Sequence, residues 1–159
     1  MIWPDAPGQF GTRRKHDVHT GIDLYTYSGM PVIPCEPGVV VAIEDFTGPK
    51  AGSPWWNDTQ AILVEGDSGV ICYGELAVPR GLTVGMEVTL ETCLGCVQKV
   101  LRKNKGRPMV MLHIELYKHG TRESVIWNLD APKPENLLDP TEPLREAYNF
   151  TEGLKFEYE

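Results

Sequence analysis

Residues 111–117 read Met-Leu-His-Ile-Glu-Leu-Tyr, and they alternate strictly. In an extended chain Leu112, Ile114 and Leu116 fall on one face, while Met111, His113, Glu115 and Tyr117 fall on the other. The first is a core face. The second sends an imidazole and a carboxylate either to water or to a site, and alternation alone leaves both open. Working outward, short runs rich in Val, Ile, Leu and Tyr recur at 38–44, 61–66, 69–75, 94–101 and 124–127. The 16 Gly and 13 Pro residues separate them at short intervals. Regular short strands between turn signals predict an all-β fold, a compact sandwich or barrel-like single domain. Only 141–149 has a helical pattern. Residues 1–143 are expected to form the domain, and 144–159 a short C-terminal tail, partly helical or disordered.

Composition bounds the function. Hydrophobic residues make up 42% of the 159 and charged residues 23%, as in ordinary globular domains. The formal net charge of -7 repels phosphate backbones and anionic surfaces, so neither nucleic acid nor membrane is an expected partner. No apolar stretch approaches the ~20 residues that span a bilayer. The start, Met-Ile-Trp-Pro-Asp, has no basic region followed by an apolar core. The chain is therefore expected in the cytoplasm, or released by a route that needs no signal, as phage lysins are. Its four cysteines are expected reduced, and Cys93-x-x-Cys96 reads as small buried residues in a strand rather than as half of a metal site.

Three segments carry candidate chemistry. His19-Thr-Gly-Ile-Asp23 offers an imidazole and a carboxylate four apart. Gly21, Tyr25 and Tyr27 argue against a helix there and for a loop that enters a strand, with Gly21 easing the turn. His113 and Glu115 share one strand face. In Ile71-Cys72-Tyr73-Gly74-Glu75-Leu76, alternation puts Tyr73 and Glu75 on one face, and Gly74 lets another group approach. Trp55 and Trp56 lie in a long loop, 47–59, and either line a groove or pack on the sheet edge. Arg102, Lys103, Lys105 and Arg107 read as a solvated hairpin turn or a rim that touches substrate. His16 and His119 read as surface residues.

Joined in order, these segments resemble the lysostaphin-type zinc metallopeptidases, the LytM-like cell-wall endopeptidases. The resemblance rests on Phe10-Gly11-Thr12-Arg13, His19-x-Gly21-x-Asp23-Leu24, Gly29-Met30-Pro31-Val32, Pro37-Gly38-Val39-Val40, Gly85, Leu94-Gly95, Leu112-His113-Ile114-Glu115-Leu116 and Pro140. It implies a mostly antiparallel β-fold with a groove across the sheet, and Zn2+ held by His19, Asp23 and His113. Two imidazoles and a carboxylate leave one position of a tetrahedral ion open, as catalytic zinc sites do. It also implies a peptide or peptidoglycan fragment as substrate or ligand.

The sequence departs from that family at two places. The family's His-x-His becomes Met111-x-His113, and its Tyr-Gly-His-Leu becomes Tyr73-Gly74-Glu75-Leu76. Both histidines that serve the reaction beside the metal ligands are replaced. A thioether neither gives nor takes a proton. Glu75 is then the candidate general base, or alternatively a fourth ligand. Met111, Glu115, Tyr73, Trp55 and Trp56 are expected around the ligands or in the groove. Two readings follow: a zinc-dependent peptidase with altered surroundings of its metal, or an inactive zinc-stabilised module that binds through the same groove.

Overall fold

The computed structural model describes residues 7–147. Eleven strands are present among them: β1 (Asp17–Val18), β2 (Ile22–Tyr25), β3 (Pro31–Val32), β4 (Gly38–Thr47), β5 (Thr59–Gly66), β6 (Gly69–Ala77), β7 (Glu87–Val88), β8 (Gly95–Val97), β9 (Met111–Tyr117), β10 (Trp127–Asn128) and β11 (Leu137–Leu138). A single 3-10 turn, Pro49–Ala51, interrupts the loop between β4 and β5. Nine strands make one antiparallel sheet, with the path β11-β9-β6-β5-β4-β7 and β2, β3 and β8 attached at its margin. β1 and β10 form a separate pair. The sheet stays open and does not close into a barrel.

The central strands are β5, β6 and β9, and side chains cover both of their faces. Ile62, Tyr73, Ile114 and Leu116 join the larger apolar cluster with Ile22, Leu24 and Leu94. Leu63, Cys72, Val70 and Tyr117 join a smaller one on the other face. Each fully buried aliphatic side chain contributes roughly 1.5–3 kcal/mol, so these three strands form the rigid platform of the domain. β9 is held on both edges. β6 pairs along one side; β2 and β11 share the other, β2 against residues 111–114 and β11 against 116–117.

Several expectations change. The run 94–101 yields only the three residues of β8, followed by isolated bridges at Lys99 and Leu101. Of 124–127, only Trp127 is in a strand. Cys93 is exposed and Cys96 half-buried, so the pair is not a buried strand element; Cys72 is the buried cysteine. Residues 141–147 are helical, and Leu144 packs on the larger cluster. The remainder of the expected tail, 148–159, lies outside the described residues. No helix among the described residues is long and apolar enough to cross a membrane.

Candidate metal centre

Antiparallel register places Asp23 of β2 directly opposite His113 of β9, and Tyr25 opposite Met111. Paired residues share a face, so Asp23, Tyr25, Met111 and His113 all project to the same side. His19 arrives from the three-residue connection between β1 and β2. Gly21 makes that approach possible. A Cβ at this position would strike the Ile114 carbonyl oxygen and come within 2.9 Å of His113 Nε2. Its role is close packing against β9; its φ is not in the left-handed region, so the sharp turn expected from the sequence is not its function.

Three atoms meet there. His19 Nε2 lies 3.1 Å from Asp23 Oδ1 and 3.2 Å from His113 Nδ1, and His113 Nδ1 lies 2.8 Å from Asp23 Oδ1. All three residues are buried. Every other polar atom of the trio is engaged. His19 Nδ1 donates to the Gln9 carbonyl at 2.8 Å, and His113 Nε2 donates to Glu115 Oε1 at 2.9 Å. Arg14 donates to Asp23 Oδ2 at 3.0 Å. Glu115 is itself held by the hydroxyls of Thr20 and Tyr117, each at 2.5 Å. One nitrogen of each ring and one carboxylate oxygen are thus turned inward, and the outer atoms fix their orientation.

The donor set fits zinc. Neighbouring ligand atoms of a tetrahedral zinc ion lie roughly 3.2–3.5 Å apart, so the two longer edges are already close to that range and the Asp23–His113 edge would open by about 0.5 Å. The three groups shift one another's protonation. Burial pushes His113 down, but its bonds to Asp23 and Glu115 win and raise it to about 10. Burial would lift Asp23, yet the bonds from His113 and His19 hold it well below the usual carboxylate range. Burial dominates at His19 and lowers it.

Glu75 stands beside this cluster by an irregularity of β6. Tyr73 pairs with Ile62 and Leu76 with Gln60, so β6 spends three steps where β5 spends two. Glu75 has φ 68°, the left-handed region that non-glycine residues seldom adopt. The bulge separates it from Tyr73. Tyr73 pairs with Ile114, lies in the larger core cluster on the face opposite His113, and accepts a hydrogen bond from the Cys35 amide at 2.8 Å. The shared face expected for Tyr73 and Glu75 is therefore corrected: Tyr73 packs into the core. Burial pushes the Glu75 carboxyl up to about 8, with the Asp23 charge adding to the rise. Its Oε2 is buried without a hydrogen-bond partner among the described residues.

Gly74 lies opposite His113 and leaves space for Phe46, whose ring packs 5.5 Å from the His113 ring. Trp55 and Trp56 lie apart from the trio, against Leu101 and Arg102. Sequence reading missed Arg14, Thr20, Tyr25 and Phe46. Arg14 sat in what looked like a charged surface segment. Tyr25 was legible in principle, since it lies two residues from Asp23 on the same strand face.

No protein-family model and no curated protein matches the chain. Solved structures do. The catalytic domain of the antimicrobial peptidase lysostaphin from Staphylococcus simulans superposes with a TM-score of 0.57 at 15% identity, over 90% of this chain and 92% of that one. A mutant catalytic domain of the prophage-encoded M23 protein EnpA from Enterococcus faecalis gives 0.54 at 22% identity, over 82% and 95%. CbpA from L. salivarius REN gives 0.55 at 18% identity, over 91% and 88%. This chain has the fold of the lysostaphin-type, M23 peptidase domains.

Proposed function

We propose that the protein is a zinc-dependent peptidase that hydrolyses an amide bond in a peptide of the peptidoglycan class. The observation that carries this reading is the buried triangle of His19 Nε2, Asp23 Oδ1 and His113 Nδ1, with its outer atoms already tied. These three residues would hold the ion. Bound zinc supplies a Lewis acid that polarises the scissile carbonyl and makes water a competent nucleophile near neutral pH.

The chain's own groups supply the rest. Glu75 holds a carboxyl in a dry position beside the trio; a bound cation would favour its ionised form, which would take a proton from the attacking water and pass it to the departing amine. Its unpartnered Oε2 agrees with a group that waits for a partner in the complex. Tyr25 brings a hydroxyl to the face on which Met111 has none. Arg14 keeps Asp23 in one orientation, and Glu115 keeps His113 in its tautomer.

The test is release of soluble fragments from purified peptidoglycan by wild type and Glu75→Gln at equal zinc content. Activity in the wild type that falls by ~10²-fold or more in the variant supports the reading. A zinc-loaded wild type without activity on peptidoglycan or on short glycine-rich and D-amino-acid peptides would leave the inactive binding module in its place.

A further inference from the structure

Loop 47–59 is long but well tied. Thr47 donates its hydroxyl to the Asn57 carbonyl at 2.8 Å, Gly48 donates its amide to Ser53 Oγ at 2.9 Å, and Lys50 donates its amide to Asp58 at 3.2 Å. The loop is then pinned to the turn that precedes β9. Trp56 bridges Leu101, the Asn57 amide donates to the Val100 carbonyl at 2.9 Å, and Asn57 Nδ2 donates to the Lys99 carbonyl at 2.9 Å. Arg102 closes the junction by donating to the Trp56 carbonyl at 3.1 Å.

That junction encloses a surface pocket of about 310 Å³, lined by Trp55, Trp56, Leu101, Arg102, Lys103 and Lys105. The volume reaches the low end of small-molecule sites, roughly 300–1,000 Å³. The two indoles meet edge to face with centroids 5.9 Å apart, and Trp55 is 63% exposed, so much of the residue is open to solvent. The lining contains no carboxylate, and Arg102, Lys103 and Lys105 enter none of the ion pairs among the described residues. In a chain of net charge -7, three unneutralised cations around an aromatic pocket form a local exception. The pocket is joined to the strands of the trio through the chain: Phe46, which packs on His113, precedes its loop, and its turn leads through Val110 into Met111.

We infer that this pocket binds a sugar residue bearing an anionic substituent. The exposed indole of Trp55 offers an apolar plate to the C–H face of the ring, and Arg102, Lys103 and Lys105 offer donors to the charge. A single strand of nucleic acid would also meet aromatic rings and cations. Its many phosphates, however, would run on to the acidic remainder of the chain. One charged sugar needs only the pocket. The inference goes beyond the peptidase proposal and is tested without hydrolysis, so absence of turnover leaves it standing.

The experiment is calorimetric titration of the full chain with N-acetylglucosamine 6-phosphate, N-acetylglucosamine, inorganic phosphate and an oligothymidylate. The sugar phosphate is expected to bind at least about tenfold more tightly than the neutral sugar, since a charge-assisted hydrogen bond is worth that factor, and more tightly than phosphate alone, which forgoes the contact with Trp55. Trp55→Ala and the double change Lys103→Ala with Lys105→Ala should each remove most of the difference, at unchanged melting temperature. Equal affinity for the three small probes, or indifference to both variants, overturns the inference. Tighter binding of oligothymidylate that grows with its length overturns it in favour of single-stranded nucleic acid.

Discussion

Asp23 Oδ1 lies 2.8 Å from His113 Nδ1 because the two residues are direct partners in the antiparallel β2–β9 ladder. Residues 90 positions apart are brought together by backbone register rather than by loop geometry, and so the inward-facing pair is as rigid as the sheet. His19 is added from a short connection that only glycine at position 21 can carry close enough to β9.

Glu115 provides a first check on this arrangement. It accepts from His113 Nε2 at 2.9 Å, and Thr20 and Tyr117 hold it in turn. Glu115→Gln keeps the volume but loses the charge that fixes the ring. Zinc affinity, measured by competition with a chelator, should fall roughly 10–100-fold, the usual effect of removing such an outer partner. Unchanged affinity would mean that His113 is oriented by packing alone.

Gly21→Ala tests the close approach. The added methyl meets backbone and a ring nitrogen, neither of which can swing aside. Overpacking of this kind costs about 1–3 kcal/mol. Denaturant unfolding of metal-free protein should show that loss, and zinc binding should weaken because His19 is displaced. A variant with full stability and full zinc affinity would remove the assigned role of Gly21.

Met111 and Tyr25 oppose each other beside the trio, one without a proton and one with. Met111→His should raise peptide hydrolysis by ~10-fold or more, within the range of a positioned acid–base group. Tyr25→Phe should lower it while zinc content stays constant. If Met111→His lowers activity instead, Tyr25 and Glu75 form a working set that the new imidazole disturbs.

Much of this was legible in the sequence, for reasons that differ by residue. Strict alternation over 111–117 gave β9 and the face of His113 directly, and an ordered set of short motifs gave the fold. The two-residue strands β1, β3, β7, β10 and β11 are too short to show a period. The error at Tyr73 and Glu75 has one cause. Alternation counts residues, and the bulge at Glu75 inserts one, which sends Tyr73 to the core and Glu75 toward the trio. A positive φ at a glutamate leaves no trace in local sequence. Arg14 was hidden differently: its neighbours are charged and exposed, and only the turn that brings it to Asp23 Oδ2 distinguishes it. Trp55 and Trp56 are legible as loop residues, but their partner, the basic turn 46 or more positions away, becomes visible only through the Trp56–Leu101 bridge and the Arg102 bond.

The most direct test of the central claim is the zinc content of purified protein, measured by elemental analysis for wild type and His113→Ala. The arrangement of His19, Asp23 and His113 predicts close to one zinc per chain in the wild type and almost none in the variant. It also predicts a fall in melting temperature when a chelator removes the metal from wild type, because an ion bound only to the folded state stabilises it. A wild type that takes up no zinc when the metal is supplied, or a variant that retains it, would contradict the account.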